Sequence, residues 1–136
     1  MSACSALRKG MDIMREPSDN DLFVELDGVG QFAYAAATYG DRIAIRREYL
    51  RLLGDAVKFE RDEKGNVTEI VDAELAGVAI IIARHRVLCT IAPSGWEDLA
   101  KVSEIDFPDV EAKMFKLWEG VRAAEERFRH GAHKAS

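Results

Sequence analysis

The sequence predicts an α+β fold that is mainly helical, with an N-terminal β-hairpin followed by three packed helices. Three observations favour this class. An Asp27-Gly28 pair separates two short runs of alternating apolar residues. A later segment is bounded by Thr38 and Gly54, which are typical of helix starts and ends. In the last third of the chain, apolar residues recur at helical spacing.

The first predicted element is a hairpin over residues 22–35. Residues 22–26 have the alternating pattern of a half-buried strand, and residues 32–35 resume it. Asp27 and Gly28 stand between the two runs. A two-residue turn requires positive φ at both central positions, which Asp-Gly pairs tolerate, so these two residues are predicted to form the turn.

The second element is a helix over residues 39–53. Thr38 is the predicted N-cap, and Asp41 is placed three residues later, where its carboxylate can return a hydrogen bond to complete a capping box. Gly54 is predicted to end the helix, because glycine adopts the backbone conformation that closes many helices.

The middle of the chain leaves two alternatives open. Residues 57–71 fit a second hairpin or an irregular insertion. Residues 72–91 fit one buried helix, since apolar residues recur every three or four positions, but the β-branched runs at 80–82 and 87–91 would also suit two strands. The lack of an internal turn dipeptide favours a helix over 72–91.

The last element is a helix over 107–129, preceded by a break at Pro93 and Gly95. Asp106 is the predicted cap, and Pro108 falls in the first turn, where a missing N–H costs nothing. Trp96, directly after the break, is predicted to be a buried anchor that folds back onto the helices. The apolar stripe of this helix comprises Val110, Met114, Leu117, Val121, Ala124 and Phe128.

Length and composition indicate one domain of an ordinary soluble protein. The chain has 136 residues, of which 48% are hydrophobic and 32% charged. We expect a weakly structured leader at 1–20, a globular domain at 21–131 and a flexible tail at 132–136. The net charge of −5 without a basic block argues against nucleic acid. No apolar run approaches the roughly 20 residues of a membrane span, and no signal peptide is evident, so we expect a cytoplasmic protein.

No residue pattern predicts catalysis, a cofactor or a metal. Cys4 and Cys89 lack a second cysteine at metal or redox spacing and are expected to be free thiols. The three histidines lack the neighbours of a zinc site. Ser94 does not lie in a Gly-x-Ser-x-Gly elbow, and Gly28-Val29-Gly30 lacks the third glycine of a dinucleotide site. We therefore expect a protein that is not an enzyme.

The chain resembles tail assembly chaperones of long-tailed bacteriophages and prophages, from about Phe23 to Gly131. Three blocks carry the resemblance. The first block is the strand pair with Gly28-Val29-Gly30 before Phe32, together with a helix that contains Asp41, Ile43, Ala44, Ile45, Arg46, Tyr49 and Leu53-Gly54. The second is the alanine-rich segment 73–83 followed by Ala92-Pro93-x-Gly95-Trp96. The third is a last helix with Phe128-Arg129-x-Gly131.

The resemblance implies an assembly role. Such proteins coat the long tape measure protein, keep its hydrophobic helices soluble, help tail tube subunits polymerise around it, and leave before the virion is complete. We expect Phe115, Trp118 and Arg122 to form the client-binding face, with Arg42 and Arg46 as its charged rim. The alternative is that the two aromatic residues complete the core.

Further expectations concern assembly. The apolar stripe together with Phe115 and Trp118 exceeds what three helices easily cover, so we expect self-association. Two other classes of protein fit the sequence. One is a structural tail-completion or head–tail connector protein, and the other is a small acidic chaperone for a secreted effector.

Overall fold

The computed structural model describes the backbone of residues 14–135 and the side chains of residues 14–129. Most of the predicted leader therefore lies outside the described residues. Five strands and three helices are present in this part of the chain. They are β1 (Leu22–Leu26), β2 (Gly30–Tyr34), α1 (Tyr39–Leu53), β3 (Lys58–Arg61), β4 (Val67–Ile70), α2 (Ala73–Leu88), β5 (Cys89–Ile91) and α3 (Val110–Ala135). The predicted α+β, mainly helical class and both hairpins are confirmed.

The N-terminal hairpin forms an antiparallel sheet with β5 in the order β1-β2-β5. Leu26 pairs with Gly30 at the end of the hairpin, so the connection has three residues, 27–29, rather than the predicted two. Gly28 has a φ of 80°, but Asp27 does not have a positive φ. The prediction of the hairpin is confirmed, and the prediction of a two-residue Asp-Gly turn is wrong. The extra residue is accommodated because Gly30 also has a positive φ, of 143°.

The predicted helix over 72–91 is too long, because its last residues form strand β5 instead. Helix α2 ends at Leu88, and the chain then extends so that Cys89 pairs with Tyr34 and Ile91 with Ala33. The Leu88 carbonyl also accepts a hydrogen bond from the Ala35 N–H at 2.8 Å. The exposed edge of β2 therefore provides backbone partners that a continued helix would have left unused.

Helix α1 is bounded as predicted. The Thr38 hydroxyl accepts a hydrogen bond from the Asp41 N–H at 3.2 Å, and the Asp41 carboxylate accepts one from the Thr38 N–H at 2.9 Å. Gly54, with a φ of 52°, follows the last residue and donates its N–H to the Leu50 carbonyl. Ile45 and Tyr49 face the core, where α1 packs against α2.

Helix α3 crosses strand β1, and a glycine permits the contact. A Cβ built on Gly120 would lie 2.7 Å from Cγ1 of Val24. The helix begins at Val110, with Pro108 and Asp109 in the preceding turn, so the prediction of Asp106 as its cap is wrong. The side chain of Ser103 instead accepts the Asp106 N–H. The helix continues to Ala135 rather than ending at 129.

The core lies between the three-stranded sheet and the helices. Trp96 is 1% exposed, which confirms the predicted buried anchor, and its ring packs edge-on against Phe32 and Phe107. Four of the six stripe residues of α3 are buried, namely Met114, Leu117, Val121 and Ala124. The hairpin β3–β4 is a separate two-stranded sheet whose side chains are almost all exposed. Among the described residues, no helix combines the length and apolarity needed to cross a membrane.

Candidate functional site

A broad groove runs between the three helices. It is open to solvent, has a volume of about 1040 Å³, and is lined by side chains from α1, α2, α3 and the segment before α1. Its lining comprises Ala37, Thr38, Tyr39, Arg42, Ile43, Ile45, Arg46, Ile80, Arg84, Glu125 and Arg129. The groove therefore combines exposed apolar residues with a high proportion of arginine.

The start of α1 determines which residues face the groove. The capping box fixes the first turn, and Ile45, Tyr49 and Leu53 then turn toward the core. Tyr39 and Ile43 fall on the other side of the helix and are 76% and 44% exposed. Burying a large apolar side chain away from water lowers the free energy, so these two residues provide a surface that a partner can cover.

The groove is rich in arginine, although the chain as a whole is acidic. It contains four arginines and one glutamate, whereas the whole protein has a net charge of −5. Arg84 pairs with Glu125 at 2.7 Å and Arg129 with Glu126 at 3.0 Å, and Arg46 lies a longer 3.4 Å from Glu69. The Arg42 guanidinium has no hydrogen-bond or ion-pair partner among the described residues. At least one full positive charge is thus available to a partner.

The residues predicted to bind a client fall in two places. Arg42 and Arg46 line the groove, and Trp118 lies at its side, because the Arg84 guanidinium stacks 4.8 Å from the centre of the indole ring. Phe115, which is 38% exposed, and Arg122, which is exposed, lie on α3 outside the groove lining. The structure therefore does not bring all five predicted residues into one site.

Trp118 also helps to close the core. It is half-buried and lines a small cavity of about 10 Å³ together with Tyr34, His85 and Leu117. A space of that size holds at most one water molecule, so it is not a ligand site. The position of Trp118 is compatible with the alternative in which its ring completes the core.

Nine of the eleven residues that line the groove were not predicted as site residues, and four of these supply its exposed apolar or arginine side chains: Tyr39, Ile43, Arg84 and Arg129. Ile43 gave the only usable signal, since it is an apolar residue on the polar side of α1. The other three come together only because α2 and α3 cross near the start of α1, and a crossing of helices is not visible in one sequence.

The buried histidine and cysteine are held in ways that leave them unreactive. His85 contacts the Tyr34 hydroxyl through Nδ1 at 2.7 Å and the Trp96 carbonyl through Nε2 at 2.9 Å. Burial lowers the pKa of His85 to about 4 and raises the pKa of Cys89 to about 12. A neutral imidazole with both nitrogens engaged and a protonated thiol stabilise the core rather than supply a base or a nucleophile.

Neither a search for metal-binding residues nor comparison with known proteins adds a further site. Within residues 14–129, no three histidine, cysteine or acidic side chains are grouped so that they could hold a metal ion. Comparison of the chain with protein-family models, with curated proteins and with solved structures gave no match. Function is therefore inferred from the resemblance of the residue motifs and from the geometry of the groove.

Proposed function

We propose that this protein is a tail assembly chaperone of a long-tailed bacteriophage or prophage. It acts in the cytoplasm of the bacterial host, without catalysis or a cofactor. It binds the tape measure protein, keeps the hydrophobic helices of that protein soluble, and promotes assembly of tail tube subunits around it.

One observation carries the proposal: an exposed groove between three helices, with apolar side chains at Tyr39 and Ile43 and arginines around them. A helix laid in such a groove buries its apolar face against the floor and places polar residues at the rim. This mode of recognition suits a client that presents many similar helical segments, because it requires a pattern of residues rather than one sequence.

The order of elements gives the proposal further support. The family pattern has a strand pair, a helix closing at Leu-Gly, an alanine-rich helix, a Pro-x-Gly-Trp turn and a final helix. The described chain has β1 and β2, α1 ending at Leu53, α2, the turn containing Trp96, and α3 in this order. The exposed hairpin β3–β4 departs from that pattern.

Co-expression with the tape measure protein from the same genome tests the proposal. We expect the fraction of that protein in the supernatant after centrifugation to rise several-fold when this chain is present. An unrelated acidic protein of similar size is the control. Equal solubility with this chain, with the control and with neither would reject the chaperone function. Mass spectrometry of purified particles should not detect the chain, whereas a tail-completion or connector protein would remain in them.

The same assay tests the client-binding face predicted from the sequence. Phe115→Ser and Trp118→Ser are introduced one at a time, and circular dichroism verifies that each variant is folded. If solubilisation survives in both folded variants, the chaperone function stands and the predicted face is wrong. Loss of solubilisation in a folded Phe115→Ser variant would place the client on the outer side of α3.

A further inference from the structure

We propose that the groove between α1, α2 and α3 binds an amphipathic helix whose polar residues are acidic. This inference rests on the proposed chaperone function for the identity of the client. It adds the chemistry of the segment that is bound, and it moves the contact from the outer side of α3 to Tyr39, Arg42 and Ile43.

The apolar part of the groove requires an apolar stripe on the partner. Tyr39 and Ile43 are one turn apart on α1, both exposed, and Ile80 of α2 lies half-buried beside them. Residues at i, i+3, i+4 and i+7 of a helix form a stripe that would cover these three side chains. An extended strand would need a free sheet edge for its backbone, and the groove is walled by helices.

The charges of the groove determine the sign of the partner. Arg42 has no acidic partner among the described residues, and the contact of Arg46 with Glu69 is long at 3.4 Å. Both side chains are exposed on α1 and can turn toward an incoming carboxylate. A glutamate or aspartate beside the apolar stripe would pair with Arg42 or Arg46. A lysine there would be repelled by Arg42, whose charge no acidic side chain among the described residues offsets, whereas Arg46, Arg84 and Arg129 each already have a glutamate partner.

Nucleic acid fits the groove less well than an acidic helix. Its phosphates would be attracted to Arg42 and Arg46, but the exposed floor at Tyr39 and Ile43 would gain little from a charged backbone. The protein as a whole carries a net charge of −5, which repels a polyanion outside the groove. The combination of an apolar floor with few free cations favours a protein helix.

Two fluorescein-labelled peptides of about 18 residues, long enough for a helix of about 27 Å, test the inference with the full-length protein. Both carry leucines in an i, i+3, i+4, i+7 stripe. One has glutamates on the flanks of the stripe, and the other has lysines. Fluorescence anisotropy should give an affinity for the acidic peptide at least about tenfold higher than for the basic peptide.

Substitutions in the groove have a matched control on the same helix. Arg42→Glu and Ile43→Ser should each weaken binding of the acidic peptide about tenfold. Arg47→Glu makes the same change of charge at an exposed position outside the groove lining and should leave binding unchanged. All three positions are exposed, so the variants should fold, and circular dichroism verifies this.

Four results would overturn the inference. The first is equal affinity for both peptides, and the second is an equal loss of binding in Arg42→Glu and Arg47→Glu. The third is tighter binding of a labelled DNA duplex that the acidic peptide displaces, and the fourth is that Arg42→Glu changes the oligomeric state but not the affinity for the peptide. The last result would mean that a second copy occupies the groove.

The solubility assay separates this inference from the proposed function. If the wild-type protein and Arg42→Glu solubilise the tape measure protein equally, the groove is not the client site and the chaperone function stands. If the acidic peptide binds as expected but the wild-type protein fails to solubilise that client, the chaperone function is wrong and the groove serves another acidic helix.

Discussion

The phenol of Tyr34 and the imidazole of His85 meet inside the core, with the Tyr34 oxygen 2.7 Å from Nδ1. On its other side, Nε2 of His85 lies 2.9 Å from the carbonyl oxygen of Trp96. A carbonyl only accepts hydrogen bonds, so Nε2 carries the proton, Nδ1 is the acceptor, and the Tyr34 hydroxyl donates. One imidazole thus joins strand β2, helix α2 and the turn at Trp96.

Removing the tyrosine hydroxyl should leave this histidine without a donor. We expect Tyr34→Phe to lower the free energy of unfolding by about 1–3 kcal/mol, the cost of an unpaired buried polar group. Tyr39→Phe also removes a tyrosine hydroxyl, but from a side chain that is largely exposed. The free energy of unfolding should therefore change by no more than about 0.5 kcal/mol. Urea unfolding at pH 7 measures both, and equal effects would contradict the bond.

The low pKa of His85 should make stability depend on pH above the range in which carboxylates titrate. Burial keeps the folded pKa at about 4, below the ordinary 6.5 of an unfolded chain. The stabilising effect is complete above pH 6.5 and falls as the pH drops toward 4, because the unfolded state takes up the proton first. The total loss from this residue is about 3 kcal/mol.

Urea unfolding at several pH values between 7 and 4, with His85→Gln as the reference, measures this effect. The slope should be smaller in the variant over the same range. Carboxylates contribute at lower pH. Burial alone would raise the pKa of Asp21, but hydrogen bonds from Thr90 and Ser18 hold it below the ordinary 3.8, so its contribution is lost only as the pH falls below that value. An imidazole NMR signal of His85 titrating near 6.5 in the folded protein would contradict the prediction.

The sequence predicted those parts of the fold that local residue chemistry determines. The capping box of Thr38 and Asp41 and the closing Gly54 depend only on residues a few positions away. Local chemistry did not decide strand β5, because the run at 87–91 suited either the end of a helix or a strand. Cys89 continues the helical spacing of α2, whereas Ile91 belongs to the β-branched run, and the pairing of these residues with Tyr34 and Ala33 makes them a strand.

The candidate site was predictable only in part, for a related reason. Arg42 and Arg46 stood out because several arginines fall within one helix, and Trp118 stood out as a large side chain beside an apolar stripe. The sequence could not reveal that Arg84 of α2 covers Trp118, or that Arg129 of α3 approaches α1. These arrangements follow from the angles at which the helices cross, and helix-crossing angles depend on packing across the whole core.

Two glycines in helices should respond in opposite ways to alanine. Gly77 of α2 has open space where a Cβ would lie, so Gly77→Ala should stabilise the protein by up to about 1 kcal/mol. Gly120 of α3 has Val24 at 2.7 Å from that position. The side chain of valine is stiff, so Gly120→Ala should force α3 away from β1 and destabilise by about 1–3 kcal/mol.

Thermal unfolding of both glycine variants, of Val24→Ala, and of Gly120→Ala combined with Val24→Ala measures the contact. Val24→Ala alone leaves a cavity and costs stability, but the methyl group that Gly120→Ala adds should partly fill it. The double variant should therefore be more stable than the sum of the two single effects predicts. Strict additivity would mean that α3 does not rest on Val24.

Truncating Trp96 should be among the most damaging single changes. Its indole Nε1 has no hydrogen-bond partner among the described residues, so the ring contributes through packing against Phe32 and Phe107. We expect Trp96→Ala to cost about 3–5 kcal/mol. Ile105→Ala, at a side chain that is 92% exposed, is the control and should change stability by less than about 0.5 kcal/mol. A Trp96→Ala protein as stable as the wild type would contradict the packing.

Self-association is the last prediction, and the structure suggests where to test it. The hairpin β3–β4 carries exposed Phe59 and Val67 on one face, since Phe59 pairs with Glu69 and Val67 with Arg61. A two-stranded hairpin exposed on both faces is marginally stable alone, and burying its apolar face against another copy would stabilise it.

We expect sedimentation at tens of micromolar to detect species larger than the monomer. Phe59→Ser should shift the distribution toward monomer, and Phe115→Ser is the comparison for association through α3. A wild-type protein that is strictly monomeric at that concentration would reject self-association, whereas a shift in Phe115→Ser alone would assign the contact to α3.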